Sequence, residues 1–282
     1  MLEQSIFNGL VSAGIYILIA LGLTLVLSIV GIIQLAHGEI YMLGAYGVYF
    51  LCTMTRLEFL PSLVISVLIT GCLGIVLEKV FFRPFRRDPE RALIVAIGLI
   101  ILLQQAVLLA VGGVPKSLPS PFSGTINLSG IVMPWERLVV VIVAFILVAV
   151  LFLLINRTKT GQAMVAVSQD RDAASLYGIN IDRTSSIAMF LGCALAAAAG
   201  GLVGAITSIS PTMGGFALIK GIAVIVIGGL GSITGAVLGG LIIGLLDGII
   251  PAFLPTHMAS IIGFAIIILI LLTRPQGLLG HE

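Results

Sequence analysis

The side chains able to do chemistry are few in this sequence and lie far apart. His37 and Glu39 stand two positions apart, which on a helix turns them to different sides, whereas acid–base catalysis needs groups that converge on one proton. Cys52, Cys72 and Cys193 sit singly inside apolar runs, with no Cys-x-x-Cys pair and no histidine cluster beside them. They read as buried thiols acting as small hydrophobes, and no metal site is expected. A His-Glu-x-x-His zinc pair is absent, as is a recognisable serine or cysteine nucleophile motif, and the chain has only 3 histidines. The Gly-x-x-x-x-Gly-Lys-Ser/Thr loop that cradles nucleotide phosphates is also missing, so the chain is expected to bind no cofactor itself. Nucleic acid finds no support either, because the net charge of +2 is not gathered into a basic stripe with aromatic residues interleaved.

A different chemistry remains, that of passing a polar solute through lipid. Glu39, Gln104, Gln105, Lys220 and Asp247 lie in or beside long apolar runs. A charge there costs roughly 3 kcal/mol on insertion scales, so each is expected to face protein or water and is a candidate for a path or gate. The competing reading is a helix-to-helix hydrogen bond or an interfacial position, which is favoured for the two glutamines. His37 and Gly38 are expected to interrupt a helix and free backbone groups that line a cavity, and Gly228 to Ser232, with Gly229 and Gly231, to do the same. Lys220 and Asp247 are the one plausible intramembrane charge pair, and nothing in the sequence places them together.

The elements that must position these groups follow from composition. With 59% hydrophobic and 9% charged residues over 282 positions, and with apolar residues in unbroken runs, the chain is suited to lipid rather than water. At about 20 residues per crossing, candidate helices run from Ile6 to Ile33, Glu39 to Met54, Leu60 to Phe82, Ala92 to Val111, Leu138 to Ile155, Ser185 to Ser208, Leu218 to Leu230, Gly235 to Ile250 and Met258 to Thr273. The expectation is one all-α domain over residues 1–282, a polytopic transmembrane bundle of about 8 to 9 spans with possible broken helices. The first apolar run is longer than a signal peptide's and has no basic flank, so it is expected to be retained.

Orientation follows the Lys and Arg. Arg83, Arg86, Arg87 and Arg91 mark one cytoplasmic loop, and Arg157, Lys159, Arg171 and Arg183 mark a second, residues 156–184. The segment from Gly112 to Trp135, with Lys116 alone, reads as a structured outer loop. Counting onward puts the C-terminal tail inside the cell. Glycines four apart, at Gly200 and Gly204, Gly235 and Gly239, and Gly240, Gly244 and Gly248, read as close helix packing.

The second basic loop contains a short helix of its own. Asp170 is a good N-cap, Asp172 favours the positive end of the helix, Ala173 and Ala174 favour helix, and Gly178 suits a left-handed stop. From physics alone this is either an amphipathic connector lying on headgroups or a docking helix for a cytoplasmic partner.

An acidic residue, two alanines, three residues and a glycine (Asp172, Ala173, Ala174, Gly178) resemble the coupling-helix motif of bacterial ABC importer permeases, with Asp where Glu is commoner. Leu35 to Glu39, Met42 to Ala45, Gly228 to Ser232 with Gly235 and Ala236, and Arg274 to Gly280 resemble the shorter permease subunit of branched-chain amino acid importers, and the likeness covers nearly the whole chain. The resemblance implies a bacterial inner-membrane complex. Its parts would be this chain, a second permease, two ATPase subunits that use ATP and a periplasmic substrate-binding protein. It assigns ATPase coupling to Asp170, Asp172, Ala173, Ala174 and Gly178. Groups for a zwitterion are expected between Thr207 and Gly215. Urea or short-chain amide importers are the near alternative, and a channel or secondary transporter the distant one.

Overall fold

The computed structural model describes residues 2–86, 88–118, 124–128, 131–253 and single positions between 262 and 279. Among the described residues ten α-helices and one hairpin follow in order: α1 Leu2–Leu25, α2 His37–Met54, α3 Phe59–Leu77, α4 Pro89–Val111, β1 Thr125–Leu128, β2 Ile131–Pro134, α5 Trp135–Arg157, α6 Lys159–Gln169, α7 Arg171–Leu176, α8 Ile181–Gly204, α9 Met213–Gly228 and α10 Ile233–Ile249. Six of the helical stretches, built on α1, α3, α4, α5, α8 and α10, are long and apolar enough to cross a membrane. Of the expected last span, Met258 to Thr273, only Ile262, Ala265, Ile266, Ile268, Leu269 and Leu272 are described, all helical; the rest of it lies outside the described residues, as does Arg87.

The bundle is built around α1 and α8, which are buried along most of their length, while α4 and α5 expose most of theirs. Composition accounts for this. Between Gly192 and Gly204, α8 is mostly Ala and Gly, so neighbouring backbones approach it closely: Gly200 packs on the Tyr41 carbonyl and Gly192 on the Gly22 carbonyl. On α10 the glycines four apart form one seam, Gly240 against Ile17, Gly244 against Ala13 and Gly248 against Gly9, so α10 runs antiparallel along α1. Large branched side chains such as Ile94, Ile101, Leu102 and Leu109 instead cover the outside of α4.

Two interruptions shape the interior. The C-terminal end of α1 is a π-helical turn, Val26–Val30, closed by Gly31 at φ 75°. The chain then re-enters the bundle through buried Ile32, Gln34 and Ala36. The expected break at His37 and Gly38 is therefore corrected: it falls earlier, at residues 31–36, because Gly31 supplies the left-handed residue, and His37 opens α2. The second interruption is where expected. α9 ends at Gly228, Gly229 and Gly231 take φ 106° and 85°, and Ser232 caps α10 by accepting from the Gly235 N–H at 3.0 Å. The tail returns to this break, where the N–H groups of Leu278 and Leu279 bond to the Ile227 and Gly228 carbonyls at 2.8 and 2.9 Å.

Three further differences concern the connections. The segment from Gly112 to Trp135 carries an antiparallel hairpin, Thr125 opposite Pro134 through Leu128 opposite Ile131, and is tied to the α8–α9 connection by Lys116 pairing with Ile209. The basic segment 156–184 holds two helices, α6 and α7, rather than one. Of the three thiols expected to be buried, only Cys193 is; Cys52 is half-buried and Cys72 exposed on α3.

Candidate functional site

A cavity of about 300 Å³ opens among α1, α2, the end of α8 and the start of α9. Ser12, Ile15, Tyr16 and Ile19 reach it from one face of α1, at the i, i+3, i+4, i+7 spacing of a helical stripe. Tyr41 reaches it from α2, Met213, Phe216 and Ala217 from α9, and Thr207 and Ser208 from the connection before α9. The lining is mostly apolar with a few hydroxyls, the composition of a site for a small amphiphilic molecule.

A charged pair stands directly behind one wall. Lys220 Nζ donates to Asp247 Oδ2 and Oδ1 at 2.7 and 2.9 Å, and the Tyr16 hydroxyl donates to Asp247 Oδ2 at 2.8 Å. The Lys220 ammonium also lies 5.6 Å from the ring centres of both Tyr16 and Phe216, within cation–π range. Nothing in the order of residues joins Lys220 to Asp247. The fold joins them because the break at Gly229–Ser232 turns α10 back along α9, so residues 27 apart meet.

The other expected path residues are distributed differently. His37 is fully buried against Gly22 of α1, with its Nδ1 3.4 Å from the Gln34 carbonyl oxygen Oε1. Gly38 packs on the Gly214 backbone, where α2 and α9 begin side by side. Glu39 is buried, and its Oε2 has no hydrogen-bond partner among the described residues. Gln104 is half-buried and Gln105 exposed on peripheral α4. None of these, nor Gly229 or Gly231, lines the cavity; Asp247 reaches it through Tyr16. Tyr16 and Phe216 were missed. Ser12 and Tyr16 four apart on an otherwise apolar helix were the signal for the first, while Phe216 looks like any lipid-facing aromatic.

The opposite end of the bundle carries a cluster of basic residues. Glu78, with no exposed surface, accepts from Arg83 at 3.1 Å, from Arg86 and from the Ser186 hydroxyl at 2.7 Å. Asp182 takes Arg86 at 2.9 Å and Arg83 at 3.5 Å, so α3 and α8 are clamped together there. Alongside lies α7, set by Asp170, whose side chain accepts from the N–H groups of Asp172 and Ala173 at 2.9 and 3.0 Å. Ala174 is buried, Gly178 ends the helix at φ 83°, and Leu176 and Tyr177 stand 88% exposed at its tip. Arg171 donates to the Ile29 carbonyl in the π-helical end of α1, and its guanidinium lies over Gly31. Burial first, and then the nearby Arg86 charge, lower its pKa below the ordinary arginine value.

A membrane-embedded helical bundle, with an amphiphilic cavity among broken helices and a helix projecting from its basic end, is the architecture of a permease. The family described as branched-chain amino acid transport system / permease component matches residues 5–271. The permease protein BraD of the high-affinity branched-chain amino acid transport system of Pseudomonas aeruginosa is 35% identical, over 99% of this chain and 95% of its own length. The corresponding protein LivH of Escherichia coli is 36% identical over the same shares. LivM, another permease protein of the Escherichia coli system, is 28% identical over 94% of this chain and 68% of its own. No solved structure matches. The chain belongs to the family of branched-chain amino acid transport permeases, and is a multi-pass membrane transport protein rather than an enzyme.

Proposed function

We propose that this chain is a pore-forming subunit of an ATP-driven importer of branched-chain amino acids in the bacterial inner membrane. It would pair with a second, related permease, with two cytoplasmic ATPase subunits and with a periplasmic binding protein. The likeness to both LivH and LivM supports a pair of related permeases. The observation that carries the ATP-driven reading is α7. It is a capped helix outside the spans that presents Leu176 and Tyr177 at 88% exposure on the basic face, where an aromatic and an aliphatic side chain have no lipid to cover them. By the positive-inside rule this face is cytoplasmic, which also puts the tail at Leu278 and Leu279 inside.

Movement of α7 by an ATPase would reach the cavity through Arg171, because that side chain holds the end of α1 and α1 supplies the cavity's Ser12, Ile15, Tyr16 and Ile19. The apolar lining suits a branched side chain, and the hydroxyls of Thr207 and Ser208 suit its polar end. One observation favours a secondary carrier instead: the Lys220–Asp247 pair is the kind of intramembrane charge such carriers use.

Affinity purification of the tagged chain from mild detergent separates the two. The importer reading expects an ATPase to co-purify with the wild type, and to be lost from Leu176→Asp/Tyr177→Asp while the membrane protein stays folded and abundant. If crosslinking in intact cells also finds no ATPase, the carrier reading takes its place.

A further inference from the structure

We propose that Lys220 and Asp247 are the charge-recognition site for a zwitterion held in the α1–α9 cavity, the ammonium of Lys220 receiving the substrate's carboxylate and the carboxylate of Asp247 its ammonium. The proposal rests on the importer reading for the identity of the substrate, and the tests below separate the two. Both residues lie within apolar helices, Lys220 with 6% of its surface exposed. Ions in that position are costly and mark a solute path more often than a structural tie.

A tie is not needed between α9 and α10. The Gly228 backbone already packs on Gly235, and Gly239 packs on the Val224 carbonyl, the close glycine contact that joins helices in lipid without charge. A buried ion pair is itself weak as a source of stability, since well-packed apolar residues of similar volume often do as well.

The geometry explains how such a pair could serve a zwitterion and reject other solutes. Lys220 and Asp247 satisfy each other, and Tyr16 supplies a further donor to Asp247, so no charge is left alone. The walls between pair and cavity are single rings: Tyr16 and Phe216 line the cavity on one side and approach the Lys220 ammonium on the other. Phe216, one helical turn before Lys220, is 62% exposed, so this chain packs against only part of the ring. Rotation of that ring would open the pair to the cavity. A molecule carrying one carboxylate and one ammonium then exchanges partners with the pair, charge for charge, while its side chain stays against Ile15 and Ile19. A solute with only one of these charges would leave either Lys220 or Asp247 buried and unpaired, which the low-polarity surroundings penalise.

The first test uses the wild-type chain, purified in detergent with whatever co-purifies and without binding protein, and irradiated with the diazirine analogue of leucine. Adducts are expected on peptides carrying Ile15, Ile19 or Phe216. Leucine should protect them at concentrations at least about tenfold lower than 3-methylbutylamine or 4-methylpentanoate, each of which lacks one charge. Equal protection by either analogue, or adducts confined to other helices, overturns the proposal.

The second test is Lys220→Met/Asp247→Leu, expected to keep abundance, melting temperature and any co-purifying ATPase while leucine uptake falls at least about tenfold. Uptake within about twofold of wild type would make the pair dispensable and overturn the site. Should this variant not fold, the labelling of the wild type still decides. Absence of an ATPase both from the purified wild type and from crosslinking in intact cells would end the importer reading and leave the labelling result interpretable.

Discussion

Single atoms decide much of this bundle's stability, because its helices meet at backbone distance. A methyl group added at Gly200 would fall on the Tyr41 carbonyl, and the helices α2 and α8 would have to separate to admit it. Gly200→Ala is therefore expected to destabilise by about 1–3 kcal/mol, the usual cost of overpacking, read as a lower melting temperature in detergent. Gly98→Ala is the control: nothing lies within 4 Å of its added carbon, and the melting temperature should hold or rise. Asp170 acts equally locally, since its carboxylate satisfies two N–H groups at the start of α7. Asp170→Ala should cost α7 about 1 kcal/mol, seen as severalfold faster amide exchange across Arg171–Leu176 with the spans unaffected.

At the scale of elements, one chain of contacts from α7 to the cavity passes through the Arg171 side chain. Arg171 caps the carbonyl end of α1, where the helix dipole favours a cation and the π-helical turn leaves carbonyls unsatisfied. The same end of α1 meets the second break, through Ser28 donating to the Gly231 carbonyl at 3.3 Å. Arg171→Ala is expected to leave ATPase co-purification near the wild-type level while leucine uptake drops by about tenfold or more, with Arg171→Lys recovering part of it. Simultaneous loss of uptake and of the ATPase would show instead that Arg171 only shapes the docking surface. The clamp at Glu78 is structural by the same reasoning. Glu78→Ala leaves Arg83 and Arg86 with Asp182 as their remaining carboxylate and should destabilise by about 1–3 kcal/mol, the cost of buried donors left unsatisfied.

For the whole molecule, the two ends are chemically distinct, one with the Arg83, Arg86 and Arg171 cluster and α7, the other with the hairpin and Val114. In a background without the native cysteines, Tyr177→Cys should react with a membrane-impermeant maleimide only from the cytoplasmic side and Val114→Cys only from outside. Both positions are exposed, so labelling from the wrong side would reverse the assigned orientation rather than reflect burial. The Lys116–Ile209 pairing holds the segment after α4 against the connection that carries Thr207 and Ser208, beside the cavity.

Much of this was legible in the residues themselves. Apolar runs of bilayer length determine helices, whatever their neighbours, since a backbone in lipid must bond to itself. The Gly229–Gly231 break and the Asp170-to-Gly178 helix were equally local, being set by φ preferences and caps. What lies between helices was not local. The break near His37 moved to residues 31–36, the hairpin was hidden in a loop, and α6 escaped notice, because short connecting segments take their form from the bundle they pack against. The cavity, and the meeting of Lys220 with Asp247 and Tyr16, depend on how α1, α9 and α10 lie together. Sequence alone determined that this chain lives in lipid and resembles a permease; only the tertiary structure decided where a solute could sit, because a site is made of side chains that distance along the chain keeps apart and packing brings within 3 Å.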